Sequence, residues 1–266
     1  MSAETPLQEA LRAALSPDVQ VRQRGALRLG TLADDGVAGE LVALLVSEQD
    51  PFVRETLTWA VVRRSPATVP HLLAALAGED ASRAQVLHAL SKIQAPASVE
   101  HVLPLVDDPH PLVAAKAWWT IGRTAVPGTE RVLLGLLGRQ HQEEQRQALT
   151  RALAQMGAVA VPGLAEALRA PEQTVRRHAV EVLVAVGEPA VGALGGLLAA
   201  AEGEDHEVAV LALEALGPLD SPEVDEVLLR LREGRSRWLS TVAGWLLADR
   251  GERRSRGTRG RDVQDS

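Results

Sequence analysis

A segment of about 31 residues recurs along this chain, and a repeat of that length constrains the fold more than any other feature. Two clear copies are VRRHAVEVLVAVG at residues 175–187 and QRQALTRALAQMG at residues 145–157. The eight copies begin at residues 21, 53, 82, 113, 145, 175, 208 and 238. Periods of roughly 20–50 residues are typical of solenoids, in which each repeat buries its apolar face only against its neighbours.

Each copy has the apolar spacing of an α-helix, which we call helix B. Counting the first residue of a copy as position 0, the positions 0, 4, 7, 8 and 11 are mostly apolar and share one helix face. Position 8 is occupied by Leu29, Val61, Leu90, Ile121, Leu153, Leu183, Leu216 and Leu246. Shorter apolar segments lie between the B helices and predict a second helix, A. Joints rich in Asp-Pro and Ser-Pro separate A from B and are expected to end one helix and cap the next.

The sequence therefore predicts an all-α fold, an α-solenoid of about eight helical hairpins over residues 5–249. Aromatic residues make up only 2% of the chain, so small apolar side chains must form many close helix contacts instead of one large core. The apolar pattern stops after Asp249, and residues 250–266 are predicted to be an Arg-rich disordered tail. Two interpretations of this tail remain open, a solubilising end and an accessory contact to nucleic acid or anionic lipid.

Two segments resemble the HEAT repeat family, in particular the short repeats named after phycobilisome bilin lyases. They are EQTVRRHA at residues 172–179 and VPGLAEAL at residues 161–168, and the resemblance extends over residues 6 to 249. It implies that the B helices line the concave face of a stack. The family includes scaffolds, adaptors and a few enzymes, so the resemblance predicts the fold much more specifically than the function.

Position 6 of helix B lies opposite the buried stripe, and three consecutive B helices carry Trp59, His88 and Trp119 there. Trp and Arg are enriched among residues that dominate binding energy at protein interfaces. We therefore predict that this face binds a protein or peptide partner. The other candidate residues on the face are Arg151, Glu55 and Gln147. The alternative is that each Trp lies flat on its helix and covers small neighbours.

The remaining tryptophans lead to different expectations. Trp118 is at position 5, which borders the buried face, so it is predicted to pack between repeats. Trp238 and Trp245 lie on the last B helix and are expected either to seal that end of the stack or to form a contact with another molecule.

We predict no catalytic residue, no cofactor and no metal site. Deoxyhypusine hydroxylase resembles the chain in its repeats and uses His-Glu pairs on four B helices to hold two irons. Here the one His-Glu dipeptide, His206-Glu207, precedes helix B. A HEAT-like DNA glycosylase would pair Trp119 with an acid one turn later, but that residue is Arg123. The alternative to a scaffold is thus an enzyme or enzyme accessory on the same repeats, such as a bilin-lyase-like subunit.

Charged residues give two further expectations. Four arginines at position 1 of helix B follow acidic residues and predict a ladder of salt bridges between neighbouring repeats; they are Arg22, Arg54, Arg146 and Arg176. His178 and Glu181 are three residues apart and could share a metal, although a solvated polar helix face is the favoured interpretation.

Overall composition bears on partners and compartment. The formal net charge is −7 and the tail is net positive, so the body is acidic and a poor match for nucleic acid. The sequence contains no cysteine, no signal-peptide pattern and no apolar run that could span a bilayer, which predicts a cytoplasmic protein.

Overall fold

The computed structural model describes residues 4–234 and 236–262. Every regular element in these residues is helical, and the chain forms two compact units, of which the first ends at Val126 and the second begins at Pro127. The sequence predicted one continuous repeat domain over residues 5–249, whereas each unit here has its own packing.

The first unit consists of four helical hairpins. Their helices are α1 (Pro6–Ala14) and α2 (Val19–Leu32), α3 (Ala38–Ser47) and α4 (Pro51–Arg63), α5 (Val69–Ala75) and α6 (Asp80–Ile93), and α7 (Val99–Val102) and α8 (Pro111–Thr124). Helix α7 is a single turn that continues as a 3-10 helix, Leu103–Asp107, because Pro104 has no N–H to extend the α-helical ladder.

The second unit repeats this arrangement four more times. Its helices are α9 (Glu130–Leu134) and α10 (Glu143–Met156), α11 (Val161–Ala167) and α12 (Gln173–Val186), α13 (Leu194–Ala201) and α14 (His206–Leu216), and α15 (Pro222–Glu233) and α16 (Arg237–Asp262). Each predicted B segment lies in an even-numbered helix, so the prediction of an all-α fold of eight hairpins is confirmed over the described residues.

Burial of the B helices follows the predicted stripe. All eight residues at position 8 are buried, and position 4 is buried in every copy except the last, where Val242 is half-buried. Small residues allow the helices to approach closely. At Gly25, an added Cβ would lie 2.5 Å from the backbone nitrogen of Ala14, so α1 and α2 could not pack as they do around a larger residue.

Three of the four predicted position-1 arginines, Arg22, Arg146 and Arg176, pair with an acid of the next hairpin, and Arg146 also pairs with its upstream acid Glu143. Arg54 forms no ion pair among the described side chains. Arg22 donates to both carboxylate oxygens of Glu48, at 2.8 and 3.0 Å, and Arg83 reaches Asp108 at 2.5 Å. Asp18 instead caps α2 by accepting the N–H groups of Gln20 and Val21. Asp18 therefore begins its own helix, while Glu48 of the next hairpin pairs with the arginine.

The last helix differs from the prediction for the tail. Helix α16 continues past Asp249 to Asp262, and Arg250 is only 5% exposed. The Arg250 guanidinium donates to the carbonyl oxygens of Gly217 and Ser221 and to Asp225, at 3.0, 3.3 and 2.8 Å. Residue 250 thus belongs to the folded domain. Its arginine side chain is buried by hydrogen bonds and an ion pair, which an apolar spacing pattern does not detect. The predicted disorder of residues 263–266 lies outside the described residues.

The prediction that His178 lies on a solvated polar helix face is wrong. His178 is 1% exposed, and its Nδ1 accepts the N–H of Gly138 at 3.3 Å while its Nε2 lies 3.0 Å from Thr150 Oγ1. The Thr150 hydroxyl donates to the Arg146 carbonyl, so Nε2 must carry the proton. Burial, reinforced by the charge of Arg146, lowers the pKa of His178 to about 4. Helical spacing gave no sign that a neighbouring repeat would cover this ring.

Candidate functional site

Three residues at position 6 form a row on consecutive B helices of the first unit. Trp59 lies on α4, His88 on α6 and Trp119 on α8. Trp59 is 40% exposed, whereas His88 and Trp119 are half-buried. All three side chains therefore reach the surface on the helix face that the apolar spacing leaves free.

The ring of Trp59 is held between a neighbouring helix and an arginine. An added Cβ at Gly30, on α2, would lie 1.7 Å from Trp59 Cζ3, so the ring rests directly on the glycine backbone. The guanidinium carbon of Arg63 lies 5.2 Å from the ring centroid, within the range of a cation–π contact. Trp59 thus covers a small neighbour, as the alternative interpretation proposed, although that neighbour belongs to the preceding hairpin. The same ring keeps a substantial exposed area.

The adjacent Trp118 has the structural role that its position predicted. It is 4% exposed, and its indole Nε1–H donates to the carbonyl oxygen of Val106 at 2.8 Å. A buried indole needs such an acceptor, so this bond fixes the ring between α8 and the preceding 3-10 helix. Of the two consecutive tryptophans, Trp119 is the one available at the surface.

Glu55 connects two helices beneath the row. Its Oε1 lies 2.5 Å from Lys92 Nζ and its Oε2 lies 3.3 Å from His88 Nε2, so the carboxylate on α4 is bound to two groups on α6. Burial would raise the pKa of Glu55, but the hydrogen bond and charge of Lys92 outweigh it and hold the pKa below its usual range. The carboxylate therefore remains ionised and its charge is neutralised within the surface.

Lys116 brings a second ammonium group to the same surface. Burial, together with the charge of Lys92, lowers the pKa of Lys116, and burial together with the charge of Lys116 lowers the pKa of His88. The neutral form of His88 is accordingly favoured. Lys92 and Lys116 are also the only lysines in the sequence, which otherwise uses arginine as its cation.

A row of cations lies one helical turn beyond the aromatic row. Arg63, Lys92 and Arg123 each follow a position-6 residue by four positions, on α4, α6 and α8. Side chains four residues apart share a helix face, so the two rows run side by side. Sequence reasoning missed this second row, although aligning position 10 of the B helices would have found it. We call the eight residues the α4–α6–α8 surface: Glu55, Trp59, Arg63, His88, Lys92, Lys116, Trp119 and Arg123.

A family profile described as HEAT repeats matches residues 69–154 and 161–248, together more than half of the chain. The chain belongs to the HEAT repeat family. This assignment agrees with the hairpin pairs described above and establishes an all-α fold of the α-solenoid class. Among curated protein sequences, none is similar enough to this HEAT repeat chain to count as a relative.

Solved structures similar to this HEAT repeat protein share its fold at low sequence identity. The karyopherin Kap121p bound to the SUMO protease Ulp1p has a TM-score of 0.53 at 14% identity, covering 91% of this chain and 32% of Kap121p. An archaeal HEAT-like repeat protein from Thermococcus onnurineus NA1 has a TM-score of 0.50 at 12% identity, covering 79% of this chain and 95% of its own. The phycocyanin lyase complex from Nostoc sp. PCC7120 has a TM-score of 0.44 at 18% identity, covering 82% and 88%.

Two of the predicted site residues of this HEAT repeat protein lie in the second unit. Gln147 and Arg151 are both exposed on α10, and Gln147 donates to Glu143 at 2.8 Å. They are not part of the α4–α6–α8 surface. The structure brings the other four predicted residues together in the first unit. Glu55 contacts His88, and His88 lies in one row with Trp59 and Trp119.

Neither a cluster of metal-ligating side chains nor a membrane-spanning helix occurs in the described residues of this HEAT repeat protein. Among the residues the structure describes, no three His, Asp or Glu side chains are grouped so that they could hold a metal ion. Glu181 is engaged by Arg146 at 3.3 Å and by Arg177 at 3.1 Å, while His178 is directed into the packing between hairpins. Within the same described segments, no helix has both the length and the apolarity needed to cross a bilayer.

Proposed function

We propose that this HEAT repeat protein is a non-enzymatic scaffold or adaptor that binds a protein or peptide partner through the α4–α6–α8 surface. The observation that carries the proposal is the row of Trp59, His88 and Trp119 on three consecutive B helices, each reaching the surface. In the HEAT resemblance, this face of helix B is the one expected to be concave.

The exposed part of the row offers useful but limited binding energy. A buried Trp contributes about 150–250 Å² of contact area. Trp59 keeps 40% of its surface exposed, so roughly 100 Å² remains available to a partner, equivalent to about 2–3 kcal/mol before the costs of association. Because Trp59 already rests on Gly30 and beneath Arg63, little conformational freedom is lost when a partner contacts it.

Among the similar structures, the karyopherin Kap121p was crystallised with a protein partner, the SUMO protease Ulp1p. At 14% identity this likeness concerns the fold alone. It supports the proposal only in the sense that a protein sharing this fold binds a protein partner.

A double variant, Trp59→Ala with Trp119→Ala, tests the proposal in affinity capture with the full chain. We expect the recovery of specific partners to fall by about tenfold or more, since aromatic anchors dominate such interfaces. The matched control is Trp238→Ala with Trp245→Ala, which removes two tryptophans that are 62% and 67% exposed on α16. Both variants should keep the helical circular dichroism of the wild type.

The two parts of the proposal have separate contradicting outcomes. If the Trp59 and Trp119 variant captures the same partners in the same yield as the wild type, the surface is not the binding site. If metal analysis of the purified chain finds stoichiometric iron, the non-enzymatic part is overturned in favour of an oxidoreductase built on the same repeats.

A further inference from the structure

We infer that the α4–α6–α8 surface selects an acidic linear peptide segment, with carboxylates spaced to meet the cations on α4 and α8. This inference rests on the proposed function and adds the chemical class of the partner. It follows from the second row of the surface, the cations at position 10, and from how the charges around that row are paired.

Three cations on the surface lack a carboxylate partner. Arg63, Lys116 and Arg123 form no ion pair among the side chains that the structure describes, whereas Glu55, the one acid of the surface, is bound by Lys92 and His88. Arg63 is instead in contact with the Trp59 ring. An acidic chain with a net charge of −7 therefore presents a local excess of positive charge beside its exposed aromatic residues.

The second unit shows that this excess is not a general property of the repeats. There Arg146 pairs with Glu181 at 3.3 Å, Arg176 with Asp205 at 3.2 Å, and Arg177 with Glu207 at 3.0 Å. Arginines at positions 1 and 2 of these helices thus have acids within reach. Position 10 of the second unit carries no cation, whereas Arg63 and Arg123 at position 10 of the first unit form no ion pair among the described side chains and can meet an external anion. The burial that lowers the pKa of Lys116 also makes a new carboxylate neighbour favourable, because it would restore the charged form.

The dimensions favour an extended peptide. Packed helices lie about 8–10 Å apart, and an extended chain advances about 3.3 Å per residue. The unpaired cations Arg63 on α4 and Arg123 on α8 are separated by two such spacings, so carboxylates about five or six residues apart would meet them. Apolar side chains between these carboxylates could contact Trp59 and Trp119. A nucleic acid is disfavoured, because its affinity rests mainly on neutralising many phosphates, and this surface offers three unpaired cations among the described side chains.

Selection of random 12-residue peptides displayed on phage, with the full chain as bait, tests the inference. We expect the enriched peptides to be acidic, with Asp or Glu at positions about five or six residues apart, and to lose affinity by about tenfold or more when these become Asn or Gln. The same loss is expected for Lys116→Gln with Arg123→Gln. The matched control, Arg12→Gln with Arg24→Gln, changes the net charge equally at two exposed positions and should bind as the wild type does.

A second measurement needs no variant. Because Lys92 and Lys116 are the only lysines, acetylation of lysine amines followed by mass spectrometry reports directly on the surface. A selected acidic peptide at saturation should slow acetylation of Lys116 about fivefold or more, whereas its Asn and Gln version should not.

Several outcomes would overturn the inference: no enriched peptide, enriched peptides that are neutral or basic, unchanged binding by the Lys116 and Arg123 variant, or tighter binding of a 20-nucleotide single-stranded RNA than of any peptide. Failure of the proposed function is recognised separately, because it requires that the Trp59 and Trp119 variant capture the wild-type partners. A partner that depends on both tryptophans but carries no acidic segment would refute the inference alone.

Discussion

The two units use the same repeat for different purposes. In the first unit, positions 6 and 10 of the B helices carry Trp59, Trp119, Arg63 and Arg123, which have free faces for contact with another molecule. In the second unit, position 10 carries no cation, and Arg146, Arg176 and Arg177 pair with acids of the same unit. Glu181 alone joins Arg146 on α10 to Arg177 on α12.

The two units also differ in a polar contact between neighbouring hairpins. His178 fills a space between hairpins of the second unit and bonds to Gly138 and Thr150. The corresponding contact in the first unit, from Gln85 to Thr58 at 2.9 Å, uses an uncharged amide. We therefore expect the second unit to respond to pH through its packing and the first to respond to salt and ligands through its surface charges.

The largest expected effect is a loss of stability of the second unit in acid. The pKa of His178 is lowered to about 4 in the folded chain from 6.5, so the unfolded state binds more protons between these values. Its contribution is fully present above about pH 6.5 and is lost as pH falls towards 4, at a cost of about 3 kcal/mol. Hydrogen exchange measured by mass spectrometry at pH 7 and pH 4.5, corrected for the intrinsic rate, should show opening in α10 and α12.

A His178→Gln variant should remove most of this pH dependence, while His101→Gln, at an exposed position of the first unit, should leave it intact. Equal acid sensitivity of the wild type and the His178→Gln variant would show that other groups control the transition.

A pair of glycine substitutions gives an intermediate effect and compares the units directly. Gly30→Ala places a methyl group 1.7 Å from Trp59 Cζ3 and must displace the ring, whereas Gly244→Ala on α16 meets nothing within 4 Å. We expect Gly30→Ala to destabilise the first unit by about 1–2 kcal/mol. Gly244→Ala should be neutral or stabilise by up to about 1 kcal/mol through helix propensity.

Thermal unfolding and tryptophan fluorescence measure both glycine changes. The emission of the Gly30→Ala variant should shift to longer wavelength as the Trp59 ring moves into water. If the two alanine variants have the same stability, the close contact of Trp59 with α2 is not an energetically important feature.

The smallest effects on stability are expected for single surface carboxylates. Glu55→Gln removes the carboxylate that binds Lys92 and His88. Glu207→Gln removes the carboxylate whose Oε2 lies 3.0 Å from Arg177 Nη1. Each should change stability by less than about 0.5–1 kcal/mol, because exposed ion pairs contribute little. Binding of the selected acidic peptides should distinguish them: Glu55→Gln should tighten it, and Glu207→Gln should not. Titration in low and high salt measures both, and an equal response would remove the distinction between the units.

Sequence periodicity predicted the hairpins well because burial in a repeat fold is a nearest-neighbour property. Position 8 meets the same kind of environment in each copy, so Leu29 and Leu246, at opposite ends of the chain, are both buried. The prediction that Trp118 is structural is confirmed for the same reason. Part of the candidate surface was also predicted from the sequence, because the helical period fixes which face of helix B is left free.

The features that sequence reasoning missed depend on contacts between hairpins. Trp238 and Trp245 occupy positions 0 and 7, which the spacing assigned to the buried face, yet both are largely exposed. Among the α16 residues whose side chains the structure describes, the buried ones are instead Leu239, Ala243, Leu246 and Arg250. The last helix is thus rotated relative to the other B helices, so neither Trp seals the end of the stack.

By itself the sequence determined that the chain folds as helical hairpins, where each B helix lies and which face it buries, because these follow from a period of 3.6 residues repeated eight times. Only the tertiary structure decided which polar groups are covered and which are free. Trp59 rests on a glycine of another hairpin, His178 is enclosed and Arg250 caps buried carbonyls, while Arg63 and Lys116 form no ion pair among the described side chains. The reason is that such roles depend on partners about 30 residues away in the chain, and helical spacing describes only a residue's own helix.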